Sequence, residues 1–274
     1  MKKHGKYIFF IILLLMFYGG FLFLESRVKD DGHDPVITVS QAPLQVSVND
    51  KEDSLLNGVS AIDIEDGNIT NNVYIESISP FDDQKMRTIT YAVLDSDDHI
   101  ARATRQLQYT DYTAPEIKIT KPLCIYYLES TDSLKDYVQA TSGVDGDISS
   151  KISIDKADYK GEDFAVTYSV VDSCGTKSTL TTNVTILPAM NNIQITLSDY
   201  MIKAQVGQKI RPLDYIENIE LMGMSETSLI KNVKVSNNYD PTKPGVYEFI
   251  YRLEENGEIG VTKLVVVVEE GSHE

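Results

Sequence analysis

The chain has 274 residues, a formal net charge of −16, and no tryptophan among its aromatic residues. That acidity repels nucleic acid and anionic lipid head groups, so neither is an expected partner. Two cysteines exclude a disulfide-dense scaffold, and the length calls for more than one domain of ordinary size.

Lys2, Lys3 and Lys6 precede an uncharged run from Tyr7 to Leu24. Its 18 residues would span about 27 Å as a helix, close to the roughly 30 Å of a bilayer's hydrocarbon core. The basic cluster lies before the run, while Glu25, Asp30 and Asp31 dilute Arg27 and Lys29 after it, so the positive-inside bias keeps the N-terminus cytoplasmic. A cleaved signal peptide is the competing reading. Leu24-Glu25-Ser26-Arg27 offers no small-residue cleavage site and no cysteine for lipidation, which favours an uncleaved anchor. The expectation is a single-pass cell-membrane protein: residues 1–6 a cytoplasmic tip, 7–24 a transmembrane helix, 25–34 a linker, and an extracellular remainder carrying −19 once the three lysines are set aside.

The remainder repeats itself. One unit opens at Pro35-Val36-Ile37-Thr38-Val39 and the next at Pro115-Glu116-Ile117-Lys118-Ile119, 80 residues on. Midway come Asp66-Gly67-Asn68-Ile69 and Asp145-Gly146-Asp147-Ile148, turn pairs followed by a strand start. Late in each unit stand Thr90-Tyr91-Ala92-Val93 and Thr167-Tyr168-Ser169-Val170, then closing strands ending at Tyr109 and Ile186. A third, more divergent unit opens at Ile193-Gln194-Ile195 and has no Asp-Gly turn, but keeps Pro244-Gly245-Val246-Tyr247 before Phe249-Ile250-Tyr251. Its last strand, Leu264 to Val268, is apolar at five successive positions, which requires burial on both faces or a covered edge. Short strands with period-two alternation and frequent turns predict small β-sandwiches, with single helical turns near 133–138 and 212–219. The short linkers, Thr110 to Ala114 and Pro188 to Asn191, predict a semi-rigid stalk.

The order P-x-I, D-G-x-I, T-Y-x-V-x-D and closing strand resembles the tandem bacterial Ig-like domains of Gram-positive surface proteins, and is similar to modules of pesticidal crystal toxins and to hyalin repeats. The resemblance covers about residues 35 to 187 well and only the second half of the third unit. The usual Gly-Asn after the late Asp is replaced by Asp97-Asp98-His99 and Cys174-Gly175-Thr176. It implies an all-β chain of three tandem Ig-like sandwiches (35–111, 115–187, 192–270) after one transmembrane helix, and roles in adhesion, spacing or envelope architecture without chemistry of their own.

In such a topology the edge strand Ile125 to Leu128, just after Cys124, can run parallel to the last strand, which the turn holding Cys174 opens, so Cys124 and Cys174 are candidates for a disulfide; two free thiols are the alternative. The mid-unit and late loops would meet at one end of each sandwich. Asp63, Glu65, Asp66, Asp95 and Asp97 in the first unit, and Asp145, Asp147 and Asp172 in the second, would then suit Ca²⁺, a hard cation that takes carboxylate oxygen. Against this, Asp-Gly turns use their carboxylates locally. No other cofactor is expected. The four histidines (His4, His33, His99, His273) have no metal-ligand spacing, and no nucleophile or nucleotide-binding motif is present, so the chain is not expected to be an enzyme. An envelope hydrolase would need a cleft lined by carboxylates. Expected partners are the membrane, through Tyr7 to Leu24, and either an envelope or host polysaccharide or another surface protein. The first should meet exposed aromatics, with Tyr126, Tyr127, Tyr200 and Tyr215 as candidates. The second should meet an open strand edge, with Tyr247 to Glu255 and Leu264 to Val268 as candidates.

Overall fold

The computed structural model describes residues 11–20, 32–128, 130–157, 163–187 and 192–270. Residues 11–20 form a helix exposed along its whole length, including Leu14, Met16 and Phe17. Among the described residues no helix is long and apolar enough to cross a membrane, and the remainder of the Tyr7 to Leu24 run lies outside them.

Three sandwiches follow, all with one strand plan. The first has β1 (Val36–Val39), β2 (Leu44–Val46), β3 (Val59–Asp63), β4 (Gly67–Asn68), β5 (Tyr74–Ile78), β6 (Arg87–Leu94) and β7 (Ile100–Tyr109). The second has β8 (Glu116–Ile119), β9 (Cys124–Ile125), β10 (Val138–Ser142), β11 (Gly146–Asp147), β12 (Ser153–Ala157), β13 (Asp163–Val171) and β14 (Lys177–Ile186). The third has β15 (Ile193–Leu197), β16 (Met201–Gln205), β17 (Ile216–Leu221), β18 (Met224–Ser225), β19 (Lys234–Asn237), β20 (Gly245–Glu255) and β21 (Glu258–Glu269). In the first, a β1-β3-β4 sheet faces a β2-β7-β6-β5 sheet, and the other two repeat this order strand for strand. The opening segment of each unit therefore splits. Its first half pairs antiparallel in one sheet, and its second crosses over to run parallel to the last strand. Pro43 and Pro122 stand at this crossing in the first two units, where a missing N–H and a fixed φ end one pairing before the next begins.

The Thr-Tyr strand is the centre of every core. Tyr91, Tyr168 and Tyr251 are fully buried, and each donates its hydroxyl proton to a main-chain carbonyl in a 3-10 turn of the same unit. The acceptors are Leu55 (2.7 Å), Leu134 (3.2 Å) and Pro212 (2.8 Å). A buried phenol needs such a partner, and the bond ties the loop after the crossing to the opposite sheet.

The third unit is less divergent than its sequence. Its first half carries the same strands, and the turn between β17 and β18 is made by Met222 (φ 52°) and Gly223 (φ 78°), a two-residue left-handed turn in place of Asp-Gly. Neither of its expected edges is an edge: β20 lies between β19 and β21, and β21 between β20 and β16.

The chain divides into two compact bodies, at Asp111 and Tyr112, so the second and third units form one body rather than two links of a stalk. The apolar run of β21 explains this. Leu264, Val266 and Val268 fill their own core, while Val265 (1% exposed) and Met201 of β16 (6%) are buried in the core of the second unit. The outer sheet face of the third unit thus covers the flank of the second between β8 and β14. Ion pairs from Lys118 to Asp199 (3.2 Å) and from Lys203 to Glu116 (3.5 Å) rim the contact, each worth little because both are exposed.

Candidate functional site

The acidic loops meet as the strand plan requires, but most of their carboxylates accept local hydrogen bonds, Asp63 through Oδ1 while its buried Oδ2 has no partner among the described residues. Asp66 accepts from Ser96 N (2.7 Å) and Asp145 from Ser173 N (2.7 Å), which closes the mid-unit loop on the late turn in both units. Asp63 accepts from the amides of Glu65 and Asp66, Asp95 from those of Asp97 and His99, and Asp147 from Ser149 N and Oγ. Asp172 accepts from Thr176 N and, at 2.6 Å, from the Tyr112 hydroxyl. The expected convergence of calcium ligands does not form: among the described residues no three metal-capable side chains come together. These bonds act on the carboxyl groups themselves. The Ser149 hydroxyl and amide hold Asp147 below the usual carboxylate range. Burial raises Asp145, but bonds from Ser173 and Lys151 outweigh it and leave it lowered.

The expected disulfide does not form either. Cys124 and Cys174 are free and buried. β9 does run parallel to β14, but Cys124 pairs with Thr185, near the end of that strand, whereas Cys174 precedes its start at Lys177. At about 3.3 Å per residue the two lie more than 20 Å apart, against about 7 Å for a bridgeable pair. Burial pushes the Cys124 thiol up to about 11, with Lys263 and Thr185 pulling the other way, so it is not a thiolate nucleophile at neutral pH.

Cys124 faces a polar cluster that the sequence did not announce. Lys263 of β21, 1% exposed, lies 3.6 Å from Glu248 Oε1 and donates to Thr185 Oγ1 at 3.3 Å. Glu248 also accepts from Thr182 Oγ1 (3.4 Å) and Asn183 N (3.2 Å). A β20–β21 charge pair is thereby satisfied by groups on β14 of the neighbouring unit.

Beside this cluster the two units enclose a groove of about 400 Å³. Its lining includes Tyr126 and Tyr127 just after β9, Tyr137 at the end of the 3-10 turn Thr131–Tyr137, Gln194 on β15, Tyr200 before β16, and Thr262 on β21. Tyr200 is fixed by the Val265 N–H, which donates to its carbonyl at 3.0 Å, and burial raises its phenol pKa. The wall formed by β15 comes so close to β21 that a Cβ on Gly260 would fall inside the Ile193 side chain. Tyr127 is 77% exposed and projects freely, whereas Thr262 is 2% exposed and its hydroxyl oxygen has no hydrogen-bond partner among the described residues. Lys121 lies over the Tyr137 ring, 5.8 Å from its centroid. Three of the four tyrosines singled out in the sequence thus come together. The fourth, Tyr215, packs against the core of the third unit instead.

Two of the free strand edges are guarded. β5 and β12 carry register shifts at Ile75/Ser77 and Ile154/Lys156, bulges that bend an edge away from strand addition.

No protein-family model matches the chain, and no curated protein matches it. Among solved structures, the CBM51-2 (in complex with GlcNAc) and INT domains of Clostridium perfringens ZmpB match at 22% identity over 53% of this chain and 26% of that one, with a TM-score of 0.23. The ZmpB M60 catalytic domain with its CBM51-1 and CBM51-2 domains matches at 10% identity over 86% of this chain and 31% of that one, with a TM-score of 0.24. The chain thus spans about a third or less of those proteins' length. Human CDH23 EC21-23 matches at 10% identity over 86% of this chain and 100% of that one, with a TM-score of 0.23. Likenesses this distant bear on neither ligand nor activity.

Proposed function

We propose that the chain is a membrane-tethered, non-catalytic binding protein of the bacterial cell surface. Tyr7 to Leu24 anchors it, and three Ig-like units display a recognition groove for adhesion or attachment within the envelope. The groove carries this reading. It is concave, built by two units held as one body, and its lining has tyrosines but no Asp, Glu or His to act as acid or base. A hydrolase is disfavoured because the carboxylates near the loops are engaged by backbone amides. The exposed apolar helix of residues 11–20 favours the tether, since an uncovered surface of that kind in water marks a membrane or partner contact.

A photo-crosslinking residue placed at Tyr127 on intact cells tests the reading. Capture of an extracellular polymer or surface protein, by a chain that stays in the membrane fraction at full length, is expected. Recovery of a shortened, secreted chain would remove the tether, and capture of nothing from outside the cell would remove the binding function.

A further inference from the structure

We infer that the groove between the second and third units takes an uncharged saccharide chain, an assignment that rests on the binding role just proposed and names its ligand. The lining decides the class. A pyranose ring presents a face of weakly positive C–H groups and a rim of hydroxyls. Tyrosine offers the complement, an electron-rich face and a polar tip. Lys121 already lies over the Tyr137 ring and Tyr200 is packed against the cores of both units, so stacking falls to Tyr126 and Tyr127. Gln194 supplies an amide that both donates and accepts, matching paired sugar hydroxyls.

Charge excludes the other sugars. The lining residues themselves carry no charge, the nearby Lys121 ammonium lies over the Tyr137 ring, and a chain of net charge −16 repels anionic polymers at a distance. A proline-rich peptide also docks on tyrosines. Prolines bring only carbonyl acceptors, however, and so would meet the donor side of the Gln194 amide but leave its oxygen unmatched. The volume of about 400 Å³ is in the range of small-ligand sites and holds a short stretch of a chain that continues past Tyr127 into solvent.

The test uses the purified full-length chain in detergent, with a panel of uncharged hexose and N-acetylhexosamine oligosaccharides, sulfated and uronic-acid oligosaccharides, and a proline-rich peptide. Binding is read by saturation-transfer NMR and calorimetry. Uncharged oligosaccharides should bind and the anionic ones should not. Tyr127→Ala and Gln194→Ala should each weaken binding about tenfold, the loss of one stacking or hydrogen-bonding contact. Both residues are exposed, so these variants keep the melting temperature of the parent, and Tyr127→Phe should retain most of the affinity. Binding of the peptide alone, or saccharide binding indifferent to both substitutions, overturns the assignment. If no uncharged saccharide binds while the Tyr127 crosslink on cells still captures a surface partner, the ligand class is wrong and the binding role stands; if neither occurs, both fall.

Discussion

Met201 is the sharpest probe of how the second and third units are joined, because it is a β16 side chain of one unit buried in the core of the other. Met201→Ala removes a side chain that is 6% exposed, and such truncations cost about 2–4 kcal/mol when the cavity does not collapse. If the two units open together, that loss lowers the protection of the slowest amides in both by about thirty- to a thousand-fold, at tenfold per roughly 1.4 kcal/mol. Hydrogen exchange read by mass spectrometry on the intact chain resolves it segment by segment. The expected result is faster exchange in β8, β13 and β14 as well as in β16 and β21, with β6 and β7 unchanged. Loss of protection confined to residues 193–269 would refute the shared core and return the units to independent beads.

Glu248→Ala should destabilise the same body by about 3 kcal/mol in denaturant unfolding, since it leaves Lys263 buried without its carboxylate, whereas Glu248→Ala with Lys263→Met should recover most of the loss. Burial raises the phenol pKa values of Tyr91, Tyr168 and Tyr251, so the neutral form is favoured when folded. Their contribution is complete below about pH 10, where the unfolded tyrosine titrates, and is lost as pH rises further. Melting temperatures should therefore fall above about pH 10, and less so in Tyr251→Phe. Cys124 and Cys174 should both resist alkylation in the native chain, both react on unfolding, and give no mass change on reduction.

Much of the scaffold was legible because it is written in local periodicity. Thr90-Tyr91-Ala92-Val93 and its two counterparts alternate inward and outward, and the tyrosine that marks them is the residue each core is built around. The unbroken apolar run Leu264–Val268 called for burial on both faces or a covered edge, and both faces are buried, so its other reading as an open edge falls. What escaped depends on register or on contacts between units. Parallel pairing of β9 with β14 was foreseeable, but only the register sets Cys124 beside Thr185 and far from Cys174. The Met222-Gly223 turn hid because two left-handed residues replace a longer Asp-anchored loop. The Glu248–Lys263 pair escaped because on β20 and β21 both residues face away from their own core, toward a neighbour that local periodicity does not reveal. The groove was visible only as scattered tyrosines, because their meeting depends on how one unit docks on another.

One position shows why the second unit acquires a neighbour where the first closes itself. Arg105 pairs with Ile89 across the central strands as Thr182 pairs with Val166, so the two occupy equivalent sites on the flank. Arg105 folds over that flank, donating from Nε to Ala42 O (2.9 Å) and from Nη1 to Asn57 O (2.7 Å), and so satisfies the crossing segment from within its own unit. Thr182 is too short to do this and hydrogen-bonds Glu248 of the third unit instead, with Met201 and Val265 filling the volume beside it. A flank filled by a neighbour is held more rigidly than one capped by a flexible side chain. Rigidity matters because a ligand entering a groove made of two units would otherwise have to order them at its own cost in free energy. The exchange of arginine for threonine thus links a single sequence change to the docking of two sandwiches, the arrangement on which the proposed groove depends.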